Sequence, residues 1–204
     1  MSVLIHDPDL AADVLKAREE SDGDRYTEVW DGVVVMPAVP NNEHQHLVMR
    51  LGSAFSAVVD WDAGDGVLPG ANVSDRDVGW KQNYRCPDVV VALAGGRARD
   101  CGTHWCGGPD LVVEIESPGQ DARDKLDFYA AVGCREVLLI DRDPWALELY
   151  RLVGDAYSLV GRVEGKGGGD VKSDVLPLTF AFTPGKLRPA IAITHATTGQ
   201  TWTA

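Results

Sequence analysis

Hydrophobic and polar positions change period several times along the chain, and each change predicts an element. Asp7-Pro8 is an N-cap followed by proline at the first helical position, and Leu10, Val14, Leu15 and Ala17 then recur at helical spacing. This predicts a short amphipathic helix, ended by the polar run at residues 19–24. Two β-forming runs follow, residues 26–30 and 33–36, separated by Asp31-Gly32. Asp-Gly between such runs is a strong hairpin signal. Glu28 shares a face with Tyr26 and Trp30, and its local pattern is that of a solvent-facing strand acid. A helical period returns behind Asn41-Asn42. Leu47, Leu51, Phe55 and Val58, flanked by Val48 and Val59, predict a helix to about residue 59. Glu43, His44 and His46 fall in its first turn and read as an exposed helix start, since such side chains are mostly exposed.

After a polar turn at residues 60–66, residues 66–73 and 78–80 predict short strands. Pro87 lacks an N–H and so belongs at a strand start or edge. It opens Asp88-Val89-Val90-Val91-Ala92-Leu93. Residues 95–108 form a Gly- and Arg-rich loop. In the next run, Leu111-Val112-Val113-Glu114-Ile115-Glu116-Ser117-Pro118, alternation puts Glu114 and Glu116 on one face and Leu111, Val113 and Ile115 on the other. Either this strand has one wet face, or two buried like charges require a cation or a shared proton. Ser117-Pro118-Gly119 stops the strand. Asp121 caps a helix with Leu126, Tyr129 and Ala130 as its core stripe and Gly133 at its end. Lys125 and Tyr129 lie four apart on one face of it. Residues 136–141, 146–152 and 156–160 read as three further strands, and residues 165–169 as a glycine-rich hairpin tip. That tip lacks the setting and the Lys-Ser/Thr ending of a phosphate loop. Residues 171–204 read as a tail packed on the surface of a single domain spanning residues 1–204. The fold class these elements predict is α/β: a mixed central sheet flanked by helices near residues 42–59 and 121–133, with an N-terminal helix and a β-hairpin.

Composition adds constraints. A hydrophobic share of 45% and a charged share of 25% are ordinary for a globular protein. The net charge of -12 opposes non-specific phosphate binding, so a nucleic-acid role needs a local basic patch, whereas divalent cations are welcome. No apolar run reaches membrane-spanning length. Asp7 and Asp9 stand where a signal peptide would be basic and then apolar. A cytoplasmic protein with reduced thiols is the expectation. Cys101, His104 and Cys106 cluster in the glycine-rich loop and could bind zinc, but a fourth ligand at a usual spacing is missing, and ordinary loop residues are the preferred reading.

The acids and the lysine form one series: Glu28, Asp88, Glu114, Glu116, Lys125. If the strands around Asp88 and Glu114 are neighbours, their carboxylates could converge and suit Mg²⁺ or Mn²⁺. A nearby lysine could position or deprotonate an attacking water, and the reaction class is metal-assisted phosphodiester hydrolysis.

Pro87-Asp88, Glu114 within Leu-Val-Val-Glu-Ile, and the helix with Lys125-Leu126 and Tyr129 together resemble the PD-(D/E)xK nuclease superfamily. More narrowly, the chain resembles the Uma2 (DUF820) family from residue 26 to about residue 178. The shared motifs include Glu28-Val29-Trp30-Asp31-Gly32, Glu43-His44-Gln45, Ser117-Pro118 and Val175-Leu176-Pro177. The resemblance implies a restriction-endonuclease-like fold and a Mg²⁺-dependent (or Mn²⁺-dependent) endonuclease. Asp88 and Glu114 would be metal ligands, with the backbone carbonyl of Ile115. Lys125 would be the catalytic lysine, moved from strand to helix, and Glu28 an accessory acid. Tyr129 would support the lysine or contact phosphate. Glu116 departs from the superfamily, which usually has lysine two positions after Glu114. Two alternatives follow: Lys125 replaces that cation, or Glu116 and Lys125 merely pair. The expected partner is nucleic acid, DNA before RNA, addressed by a homodimer. The alternative function is a catalytically silent nuclease-fold module acting through protein or nucleic-acid binding.

Overall fold

The computed structural model describes residues 2–20, 27–117 and 121–204. The expected end of the first helix at residues 21–24, the face of Tyr26 and the Pro118-Gly119 strand stop lie outside the described residues.

The centre is a six-stranded mixed sheet. Its order is Ala156–Glu164, Trp145–Val153, Glu136–Arg142, Leu111–Ile115, Val89–Ala92, Gly66–Pro69. Leu111–Ile115 runs parallel to Glu136–Arg142 and antiparallel to Val89–Ala92. It is an interior strand and all five of its residues are buried. Alternation sends its two faces into different cores. Leu111, Val113 and Ile115 join the larger core with Leu47, Leu51 and Phe55 of the Asn42–Ser56 helix. Val112 joins a second core with Phe128 and Tyr129 of the Leu126–Val132 helix. Glu114 is on that second face, where a helix replaces solvent. The wet-face reading of this strand is therefore excluded.

The hairpin forms as expected. Glu28–Trp30 pairs with Val33–Met36 across Asp31 and Gly32, whose φ angles of 46° and 87° are both left-handed, as a tight two-residue turn requires. The pair belongs to a seven-stranded sheet with Val3–Ile5, Tyr84–Arg85, Val73–Ser74, Trp105–Cys106 and Arg99–Asp100.

Several sequence expectations change: the second helix ends at Ser56, a 3-10 turn at Ala122–Lys125 precedes the Leu126–Val132 helix, and the 95–108 loop carries the strands Arg99–Asp100 and Trp105–Cys106. Residues 66–73 split at Gly70 (φ 59°) into Gly66–Pro69 and Val73–Ser74, which enter different sheets. Residues 78–80 are not a strand, because Gly79 turns left-handed (φ 73°) and a 3-10 turn follows at Trp80–Gln82. Residues 165–169 do not close a hairpin, since Val171–Lys172 pairs with Leu178–Thr183 instead. The tail does not lie on the surface. Leu178–Thr183, Ala190–His195 and Thr201–Thr203 form a sheet with Val171–Lys172. Leu178, Phe180, Ile191 and Ile193 are fully buried in the larger core. Phe180 meets Phe55 edge-on at 6.0 Å. The period of two in Leu178-Thr179-Phe180 and Ile191-Ala192-Ile193 is the reason: one face of each strand must be covered.

Candidate active site

Asp88 precedes the Val89–Ala92 strand, and Glu114 is near the end of the antiparallel Leu111–Ile115 strand, so the register brings both to one end of the sheet. Asp88 is anchored there from both sides. Its N–H donates to the Val113 carbonyl (3.0 Å), and its Oδ2 accepts the Ile115 N–H (2.7 Å). Asp88, Glu114, Ile115, Lys125 and Glu28 all line one small cavity of about 50 Å³.

Lys125 stands between two acids. Its Nζ donates to Glu28 Oε1 at 2.8 Å and to Glu114 Oε2 and Oε1 at 2.9 and 3.1 Å. Glu28 also accepts the Cys86 N–H (2.9 Å) and the Trp30 indole N–H (2.7 Å). Tyr129 is fully buried and its hydroxyl donates to Glu114 Oε1. The contact Tyr129 makes is with Glu114, through its hydroxyl. Glu28 is buried as well, so its solvent-facing local pattern is overridden by the neighbouring elements.

These contacts set the protonation states. Burial acts against the Lys125 charge, but Glu114 and Glu28 outweigh it and hold the ammonium above its ordinary value. Burial pushes the Glu114 carboxyl up to about 8; Lys125 opposes this, while Asp88 and Glu28 reinforce it. Burial also acts to raise Glu28, but Lys125 and the Cys86 and Trp30 donors hold it below the ordinary value. Three acidic side chains thus crowd one buried ammonium, and burial together with the neighbouring acids favours a proton on Glu114. The hard oxygen donors of Asp88, Glu114 and the Ile115 carbonyl suit a small divalent cation. These donor types are the ones the implied ion takes, while in the structure both Asp88 oxygens and both Glu114 oxygens already have partners in His44, the Ile115 N–H, Lys125 and Tyr129.

His44 corrects the exposed-helix-start expectation. The Asn41 side chain caps its helix by accepting the His44 N–H (2.9 Å). His44 is buried, and its Nε2 lies 3.1 Å from Asp88 Oδ1. His46 stays exposed and Glu43 is half-buried. Arg142 ties the same region together. Its Nε donates to the Glu116 carbonyl (2.9 Å) and its Nη1 to Asn41 Oδ1 (3.0 Å) and Glu43 Oε2 (3.3 Å).

Glu116 does not pair with Lys125. Its Oε1 accepts the Ala122 N–H (2.6 Å) and lies 3.6 Å from Arg123 Nη1. It lines a larger cavity of about 240 Å³ that opens beside Lys125 and Glu114, with Asp121 and Asp124 also in the wall. Burial pushes the Glu116 carboxyl up to about 7, against the pull of the Ala122 N–H.

A separate group is Asp77, Cys101 and His104, whose ligand atoms all lie within 4.8 Å of one another. A metal could be held there. Asp77 was outside the sequence reading because it lies 24 positions before Cys101, beyond any usual ligand spacing.

The arrangement is that of a restriction-endonuclease-like fold: a mixed sheet with an aspartate, a glutamate and a lysine gathered at one end. Residues 11–184 match the profile of the Uma2 family, described as "Putative restriction endonuclease", and the chain belongs to that family. Four solved chains match. One, from Anabaena variabilis ATCC 29413, is described as "a putative nuclease belonging to DUF820". It is 18% identical, with a TM-score of 0.53, over 67% of this chain and 76% of that one. No curated protein matches. Among the described residues, no helix is long and apolar enough to cross a membrane.

Proposed function

We propose that this chain is a divalent-cation-dependent endonuclease that hydrolyses phosphodiester bonds, with DNA the first substrate to test. The observation that carries this reading is the buried Lys125 ammonium held between Glu28 and Glu114 beside Asp88. Asp88, Glu114 and the Ile115 carbonyl would hold Mg²⁺ or Mn²⁺. Such an ion polarises a phosphoryl oxygen and lowers the pKa of a bound water.

The contacts of the side chains support the remaining roles. Lys125 is held protonated, so it acts as a donor that orients water and offsets phosphate charge, not as the base. Glu28 fixes the ammonium and is fixed by two further donors. Tyr129 orients Glu114. His44 orients Asp88, as an outer partner does for a metal-binding carboxylate. A homodimer would present two such sites to two strands.

The net charge of -12 and the acidic wall formed by Glu116, Asp121 and Asp124 favour a second reading, a nuclease-fold module that binds partners without cleaving. The two separate in a Mg²⁺/Mn²⁺ cleavage assay on single- and double-stranded DNA and RNA. Cleavage that disappears in both Glu114→Ala and Lys125→Ala supports the enzyme. Metal binding with cleavage unchanged by either substitution refutes it.

A further inference from the structure

The Asp77, Cys101 and His104 group lies outside the acid and lysine site, and its chemistry is different. Arg99–Asp100 and Trp105–Cys106 pair antiparallel, with Arg99 opposite Cys106 and Asp100 opposite Trp105. The four residues between them, Cys101-Gly102-Thr103-His104, close the hairpin. Gly102 takes φ 80°, its N–H donates to Asp100 Oδ1 (2.7 Å), and the Cys101 N–H donates to the His104 carbonyl (3.0 Å). A Cys-x-x-His pair on such a turn places a thiol and an imidazole three positions apart at one hairpin tip. That is a short ligand spacing of the kind structural zinc sites use. The third group, Asp77, arrives from the segment after Val73–Ser74, a strand that runs parallel to Trp105–Cys106.

The imidazole is held as a ligand would be. His104 is buried and stacks on Trp80 at 4.7 Å and 15°. Its Nε2 lies 3.1 Å from the Arg76 carbonyl. A carbonyl only accepts, so Nε2 carries the hydrogen and Nδ1 keeps the lone pair. An imidazole donating one N–H to a backbone carbonyl is the usual outer-shell arrangement of metal-binding histidine. Nδ1 faces the Thr103 hydroxyl at 3.1 Å, a contact that a metal would replace. Arg99 Nη2 lies 2.8 Å from Asp77 Oδ2, an ion pair that a metal at this carboxylate would have to share or displace.

We propose that Asp77, Cys101 and His104 form a zinc site that fastens the Arg99–Cys106 hairpin to the turn carrying Asp77. Thiolate, imidazole and carboxylate together select Zn²⁺ over Mg²⁺, which prefers oxygen alone. Three protein ligands leave the fourth position to water, so the site would be of the open kind rather than a closed four-ligand one. The site is independent of the proposed nuclease chemistry.

The test is metal content of the full chain, with Co²⁺ substitution as a spectroscopic probe. One equivalent of Zn²⁺ per chain is expected. Co²⁺ should give a thiolate-to-cobalt charge-transfer band that Zn²⁺ abolishes. The band should vanish in Cys101→Ser and persist in Glu114→Gln. Asp77→Asn, an exposed change that leaves the hairpin intact, should weaken Zn²⁺ binding by at least about tenfold, the loss that even an outer-shell change brings. The absence of a charge-transfer band in the wild-type chain, or a band unchanged in Cys101→Ser, overturns the proposal.

Discussion

Glu114→Gln should flatten the pH dependence of stability. In the fold, Glu114 keeps its proton to about 8, against an ordinary value of 4.5. Between those values the folded chain binds one proton more than the unfolded chain. Stability from this group is therefore present at low pH and lost as pH rises through the window, at about 1.4 kcal/mol for each pH unit. From about pH 5.5 to about 7.5 the loss is about 3 kcal/mol, or roughly 6–12 °C in Tm for a chain of this length. Glu116, pushed up to about 7, loses stability in the same direction, but it does so in both proteins and drops out of the comparison. Glu28 is depressed, so its contribution is lost only below its unfolded value, outside this window. Thermal unfolding in a chelator at several pH values measures the difference in slope. Added Mg²⁺ should then restore wild-type stability at high pH, because a ligand that binds only the folded state stabilises it, and Glu114→Gln should respond much less. Parallel slopes for the two proteins in chelator would refute the claim that Glu114 holds a proton near neutrality.

Three further outcomes are expected. Lys125→Ala leaves Glu28 and Glu114 buried without their shared cation and should destabilise the fold by about 3–5 kcal/mol in denaturant titration. His44→Ala removes the orienting partner of Asp88; Mg²⁺ affinity measured by calorimetry should fall roughly 10- to 100-fold while the fold remains. Phe180→Ala, in the tail but fully buried against Phe55, should cost about 3–5 kcal/mol, and a change near zero would return the tail to the surface.

The parts of the fold legible in the sequence are those set by short-range rules. Asp31-Gly32 selects its turn, Asn41 caps its helix, and the β-branched runs form the central strands. Glu114 and Glu116 draw attention to their strand, but alternation alone leaves a wet face open, and only the helix packed on that face closes it. Missing were facts about what lies opposite. Nothing local to His44 reports that Asp88 faces it, 44 positions later. Glu28 reads as a wet strand acid until Lys125 is placed beside it. The tail carried its own alternating signal, which length and position at the end of the chain obscured. Asp77 was hidden for a further reason: a ligand from another loop has no fixed spacing to its partners.

The two acids on Lys125 come from different sheets, and they reach it over very different stretches of chain. Glu114 lies 11 positions away and Glu28 lies 97. Closing the longer loop costs about 2 kcal/mol more chain entropy, so the contact with Glu28 is the harder of the two to form before the sheets have docked. The third contact of the ammonium, to Glu28, needs the N-terminal hairpin docked against the central sheet. The full set of contacts on Lys125 therefore exists only where both sheets are in place.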